Sequence, residues 1–174
     1  MRLTPATTDD VDAIVDLWVD LASDQRQHGS HVRADPSRGA VRETVGRQVV
    51  TGYVTVARDD DAVAGFVMAS IDRGGYDQDV TRGVVNAIYV RPEFRDDGVG
   101  GELLRAAERT LAEAGADVVA LEAMAANEDA RRFYRTHGYE PHRVELEKPL
   151  DERAKGGTES GTDGADRDES LDST

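Results

Sequence analysis

An apolar run, VVNAIYV (84–90), is followed by RDDGVGG (95–101) and then by a helical pattern, ELLRAAERTLAEA (102–114). No other feature constrains the fold as tightly. Gly98, Gly100 and Gly101 stand where a helix should be starting, although glycine costs about 1 kcal/mol against alanine in a helix interior. The chain must therefore need bare backbone in a strand–turn–helix unit. Such a turn is an anion device: the helix N-terminus carries unpaired N–H groups and a partial positive charge, and glycines let phosphate oxygens approach them. The other reading is a tight strand-to-helix turn without a ligand. Two phosphate loops are excluded. Gly98-Val99-Gly100-Gly101 does not match GxGxxG, and there is no Lys-Ser/Thr pair for GxxxxGK[ST].

Strand and helix patterns alternate around this unit. TTDDVDAIVDLWVDLA offers Thr and Asp caps, and Val11, Ile14, Val15, Trp18 and Leu21 recur at helical spacing. A second helix is expected from about 36 to 50. GYVTVARDDDAVAGFVMASID reads as a hairpin turning at Asp59-Asp60-Asp61. Leu103, Ala107 and Leu111 share one face of the helix after the loop, and Gly115 is placed to end it. DVVALEAM reads as a buried strand, and NEDARRFYRTH as a helix capped by Asn127 and stopped at Gly138. YEPHRVELEKPL is expected to supply one or two closing strands. The pattern predicts an α/β domain over 1–150 with helices packed around a mixed sheet. Residues 151–174 hold eight acids, three bases and almost nothing apolar, which predicts a disordered tail.

The net charge of −14 repels nucleic-acid phosphate and argues against DNA or RNA as partner. Without cysteines there is no disulfide, thiolate metal site or cysteine nucleophile. No apolar run approaches the length of a membrane span, and MRLTPATTDD lacks the pattern of a secretory signal; a cytoplasmic protein with no membrane partner is expected. Only Lys148 and Lys155 are lysines. This acid-rich, lysine-poor composition resembles that of proteins from salt-accumulating halophiles. His28, His31, His137 and His142 show no metal-ligand spacing, so no metal is expected.

The loop matches Arg/Gln-x-x-Gly-x-Gly/Ala at Arg95, Asp96, Asp97, Gly98, Val99 and Gly100. It resembles the acyl-CoA diphosphate loop of the GCN5-related N-acetyltransferases, the GNAT family. LEAMAANEDARRFYRTHGYE resembles a second signature of that family, carried by Asn127, Tyr134, Gly138 and Tyr139. The resemblance implies a mixed, mostly antiparallel central sheet flanked by helices on both faces, with acetyl-CoA as acyl donor and an amine as acceptor. Relatives are often dimers, which leaves a homodimer open.

The resemblance also implies roles for individual residues. Amides around Asp97–Gly101 would hold the diphosphate, with Arg95 either helping or bracing the loop. The backbone of Ile88, Tyr89 and Val90 would pair with the pantetheine arm. Asn127 would contact that arm, or serve as a plain helix cap, or both. Tyr134 matches the family's general acid, and Glu122, at the end of the strand, matches the base of some members that acetylate protein N-termini; the other reading is a surface acid, with water or a backbone carbonyl taking the proton. Asn86 stands where relatives often carry an acid, and an amide cannot take a proton. Asp96 and Asp97 replace residues that are commonly Gly, Lys or Arg, and two carboxylates there should weaken diphosphate binding unless they point outward or salt screens them. His28 and His31 fall in a loop that lines the acceptor site in the family.

Three functional readings follow. The first is an N-acetyltransferase acting on a small-molecule amine or a protein N-terminus. The second is a module that holds CoA without turnover. The third, resting on charge alone, is a structural partner acting through the acidic tail.

Overall fold

A computed structural model describes residues 1–74 and 78–150; the tail expected over 151–174 lies outside the described residues. The chain divides after Glu140: Met1–Glu140 forms one compact unit, and of the second only 141–150 lie among the described residues.

The first unit is built on a five-stranded sheet in the order β1-β2-β3-β4-β5. The strands are β1 (Arg2–Pro5), β2 (Val54–Asp59), β3 (Ala62–Asp72), β4 (Arg82–Val90) and β5 (Val118–Leu121). Neighbours from β1 to β4 are antiparallel, and β4 pairs with β5 in parallel. Helices α1 (Val11–Arg26) and α2 (Ala34–Thr51) precede β2, α3 (Val99–Glu113) joins β4 to β5, and α4 (Glu128–Thr136) follows β5.

The two faces of the sheet explain the layers. Phe66, Met68, Ala87 and Tyr89 pack with Ile14, Val15 and Leu17 of α1 and with Val45 and Val49 of α2. Val67, Ala69, Val85 and Val90 pack with Leu103, Leu104, Ala107 and Leu111 of α3. Helices thus cover both faces, as expected, and the period-2 alternation of the strands divides the core between them.

The start of α1 is anchored electrostatically. Asp10 accepts from the Thr7 backbone N–H at 2.8 Å, and from Arg58 Nη2 at 2.7 and 2.8 Å on its two oxygens. Burial alone would push this carboxyl up, but the bonds from Thr7 and Arg58 win and hold it below the usual carboxylate range.

Three expectations need correction. The sequence reading contains no strand before α1, yet Arg2–Pro5 forms β1, a short edge strand paired only with β2. Four residues are too few to show a period. The strand expected to be buried, β5, is a sheet edge, and Val118 is 43% exposed. Finally, 141–150 contains no strand, and Val144, Leu146 and Leu150 are exposed. Alternation marks one apolar side of a segment, but a strand exists only when a neighbour supplies the hydrogen-bond ladder. Among the described helices, none is long and apolar enough to cross a membrane.

Candidate active site

The site begins at a mismatch in strand length. β4 pairs with β5 only from Arg82↔Val118 to Val85↔Leu121, yet β4 continues to Val90. The register between β3 and β4 runs Met68↔Ala87 and then Ala69↔Val85, so Asn86 is the extra residue of a bulge. A bulge bends its strand and strengthens the twist, and here it lies just where β4 and β5 part. Asn86 is exposed, and its Oδ1 accepts from Gln48 Nε2 at a long 3.5 Å.

Beyond the bulge, β4 turns backbone groups toward the gap. The Arg91 N–H donates to Ala64 O at 2.9 Å, and Ala64 lies opposite Arg91 in the antiparallel register. Alternation along the ladder then points the N–H and C=O of Val90 and Ile88 away from β3. Tyr89, opposite Phe66, turns its backbone toward β3 instead; of the three residues expected to present backbone here, Ile88 and Val90 do so. The Val90 carbonyl accepts from Arg95 Nε at 3.0 Å. Among the described residues, nothing on the β5 side pairs with the Ile88 N–H and C=O or the Val90 N–H.

Arg95 is held on several sides. Besides Val90, it donates from Nη2 to Asp24 Oδ2 at 3.1 Å, and its guanidinium lies 5.3 Å from the centre of the Tyr89 ring. These contacts brace the loop against the last turns of α1. Burial pushes the Tyr89 hydroxyl up, and Asp24 adds to the shift.

The three glycines have three different surroundings. Gly98 is the N-cap of α3 with φ of 79°, a left-handed conformation, and a Cβ there would meet nothing within 4 Å. At Gly100 a Cβ would lie 3.5 Å from the Phe133 ring, an ordinary contact. At Gly101 it would lie 2.8 Å from His137 Nε2. So Gly101 in particular lets α4 approach the first turn of α3, a reason for bare backbone that is independent of any anion. Asp96 also has a positive φ, 67°, and both Asp96 and Asp97 are exposed. Val99 is buried and roots the turn in the core.

Tyr134 lies against two aromatic rings, Phe133 at 5.3 Å and Tyr139 at 6.0 Å, both edge-on. Burial pushes its hydroxyl above the ordinary tyrosine value, and among the described residues that hydroxyl makes no hydrogen bond. A phenol in this state is protonated at neutral pH and free to donate. Asn127 caps α4: its Oδ1 accepts from the Ala130 N–H at 3.0 Å, which leaves its side-chain NH₂ for other work. Glu122 is exposed and follows directly on β5, where that strand leaves β4. Met124, two residues on, meets the loop of His28 and His31: its Cε would lie 3.8 Å from a Cβ on Gly29.

Asp24, Gln48 and Glu108 join this neighbourhood without any sequence signal. Arg95 and Asp24 are 71 residues apart, and Tyr139 and its partner Glu108 are 31 apart. Only folding brings them together. Among the described residues, no group of His, Asp or Glu is arranged to hold a metal ion.

Solved structures share this fold. A Bacillus halodurans protein solved as a tetramutant superposes with a TM-score of 0.74 at 18% identity, over 86% of this chain and 100% of that one. A GCN5-related N-acetyltransferase from Ralstonia eutropha gives 0.68 at 21%, over 86% and 97%. An aminoglycoside acetyltransferase from an uncultured soil metagenomic sample, in complex with sisomicin, gives 0.62 at 15%, over 86% and 96%. No protein of curated function matches the sequence. The model of the acetyltransferase (GNAT) family matches residues 11–139. That stretch contains the parted strands, the glycine turn and the helix of Tyr134, and the chain belongs to the GNAT family of acetyltransferases.

Proposed function

We propose that the protein transfers an acetyl group from acetyl-CoA to a primary amine, either a small molecule or a protein N-terminus. The observation that carries this reading is the edge of β4 beyond Val85, where Ile88 and Val90 offer backbone groups beside the first turn of α3. An unpaired strand edge accepts an extended, amide-bearing chain as it would another strand, and the pantetheine arm of CoA is such a chain. The N-terminal amides of α3, around Asp97–Gly101, suit the diphosphate; Asn127 would bind the arm through its side-chain NH₂. Asp96 and Asp97 work against that affinity, and screening by salt offsets them. The acid-rich, lysine-poor chain extends the proposal to a salt-rich cytoplasm.

When bound, acetyl-CoA supplies a thioester carbonyl open to attack by the amine. A β4 backbone N–H would polarise its oxygen. Tyr134 holds a proton at Oη for the leaving sulfur. Glu122 takes the proton of the incoming amine, directly or through water.

The test is release of free thiol from acetyl-CoA across a panel of amines and N-terminal peptides. Acetyl-CoA at 100 times its Kd should stabilise the fold by about 2.7 kcal/mol. Tyr134→Phe should lower kcat by about 10²–10⁴-fold while keeping that stabilisation. Glu122→Gln should lose most at low pH and recover partly as pH rises, because the amine then arrives deprotonated. Stabilisation by acetyl-CoA without thiol release from any amine would favour the non-catalytic module, and wild-type kcat in Tyr134→Phe would remove the acid.

A further inference from the structure

Helix α4 spans nine residues and buries none of them. A helix of that length is marginal in water on its own, so its place depends on the half-buried Phe133 and Tyr134, which pack against the core cluster of α3 and the sheet, and on discrete polar contacts. At its start, Asn127 caps Ala130, and Arg131 Nη1 donates to Ala125 O at 3.0 Å. Near its end, His137 Nδ1 lies 2.8 Å from the Phe133 carbonyl oxygen, and its ring meets the Phe133 ring at 4.4 Å, tilted by 47°. These contacts lie within α4 and its cap. A side-chain hydrogen bond to the body of the fold comes one residue after Gly138: Tyr139 donates its hydroxyl to Glu108 Oε1 of α3 at 2.9 Å.

That bond orients a ring beside Tyr134. Tyr134 and Tyr139 meet edge-on at 64°, and Phe133 also meets Tyr134 edge-on, at 66°. With no hydrogen bond of its own among the described residues, the Tyr134 hydroxyl points where these walls direct it. Glu108 lies seven residues after Gly101 on α3, a spacing of two helical turns, so it shares the face on which His137 rests.

We infer that the hydrogen bond from Tyr139 to Glu108 positions Tyr134 for acyl transfer, which makes Tyr139 and Glu108 positioning residues of the site; the inference rests on Tyr134 being the acid. Burial first, and the bond to Glu108 second, push the Tyr139 hydroxyl up, so it remains a donor across the working pH range. Tyr139→Phe keeps the ring and deletes only the bond. Glu108→Gln keeps an acceptor, and Glu108→Ala does not.

The experiment measures kcat, donor KM and melting temperature for these variants in the wild-type and Tyr134→Phe backgrounds. Tyr139→Phe and Glu108→Ala should lower kcat by about 10- to 100-fold, the scale of a misplacement near 1 Å, with donor KM unchanged. Glu108→Gln should recover most of the rate. In the Tyr134→Phe background neither variant should lower kcat further, because contacting residues that act as a unit are not additive. Equal losses in both backgrounds, or an unchanged kcat in Tyr139→Phe, would overturn the inference while leaving Tyr134 as the acid. Wild-type kcat in Tyr134→Phe alone would overturn both.

Discussion

Helices α3 and α4 meet at the same turn and are held in opposite ways. α3 buries Val99, Leu103, Leu104 and Leu111 against the sheet, whereas α4 has no buried residue. A fully buried Leu or Val contributes about 1.5–3 kcal/mol, while a hydrogen bond such as Tyr139–Glu108 contributes about 0.5–1.5 kcal/mol net. The turn suited to an anion is therefore rooted in the core by fully buried side chains, and the phenol suited to proton transfer rides on a helix that packs on the same core through the half-buried Phe133 and Tyr134. Damage to the first should appear as lost stability, and damage to the second as lost rate.

The largest effects separate the helices most sharply. Leu103→Ala in α3 should destabilise the fold by about 2–5 kcal/mol in a denaturant titration. Tyr134→Phe, which keeps its ring, should leave that titration nearly unchanged despite its loss of kcat. A large stability loss in Tyr134→Phe would show that the Tyr134 hydroxyl, and not only its ring, holds α4 in place. Amide hydrogen exchange sharpens the same point: α4 should exchange through local opening, and α3 near the global limit.

Next come the glycines at the junction. Gly98→Ala forces a Cβ into a left-handed conformation at a cost of about 1–2 kcal/mol, with open space around it. Gly101→Ala keeps an ordinary helical backbone but pushes on His137. Equilibrium unfolding should find Gly98→Ala the less stable of the two if the His137 ring can shift, and kinetics should find Gly101→Ala the slower. The reverse order would mean that α4 is seated as rigidly as α3.

A pH titration isolates the α4 side again. Tyr134 and Tyr139 both hold their protons more tightly in the folded state. Their contribution is fully present below the ordinary tyrosine value of about 10 and is lost as pH rises through the folded values. Melting temperature should fall with rising pH in that alkaline range, and the fall should be shallower in Tyr139→Phe. Tyr89 shifts in the same direction, so a residual slope is expected.

The smallest effect lies on the loop itself. Asp96→Gly relieves a positive φ, worth about 1 kcal/mol, and removes one carboxylate beside the anion-binding turn. Calorimetry should show tighter acetyl-CoA binding and a weaker gain of affinity with salt. Maximal wild-type stability at low ionic strength would count against the salt-adapted reading, since screening should relieve the self-repulsion of a chain with net charge −14.

Much of this was legible in one dimension because the relevant signals are local. The period of Leu103, Ala107 and Leu111 places α3, Asn127 caps α4, and Gly115 and Gly138 end the two helices. The order of motifs carried the family and the fold, and the glycine run marked a turn with bare backbone. Folding alone decided what depends on partners distant in sequence. It made β1 an edge strand, left 141–150 without a ladder, placed the bulge at Asn86 where β4 and β5 part, and turned Ile88 and Val90, not Tyr89, toward the gap. It also tied Arg95 to Asp24 and Tyr139 to Glu108. Helical period and capping are written in neighbouring residues, whereas register, edges and side-chain pairs exist only once segments far apart in the chain have met.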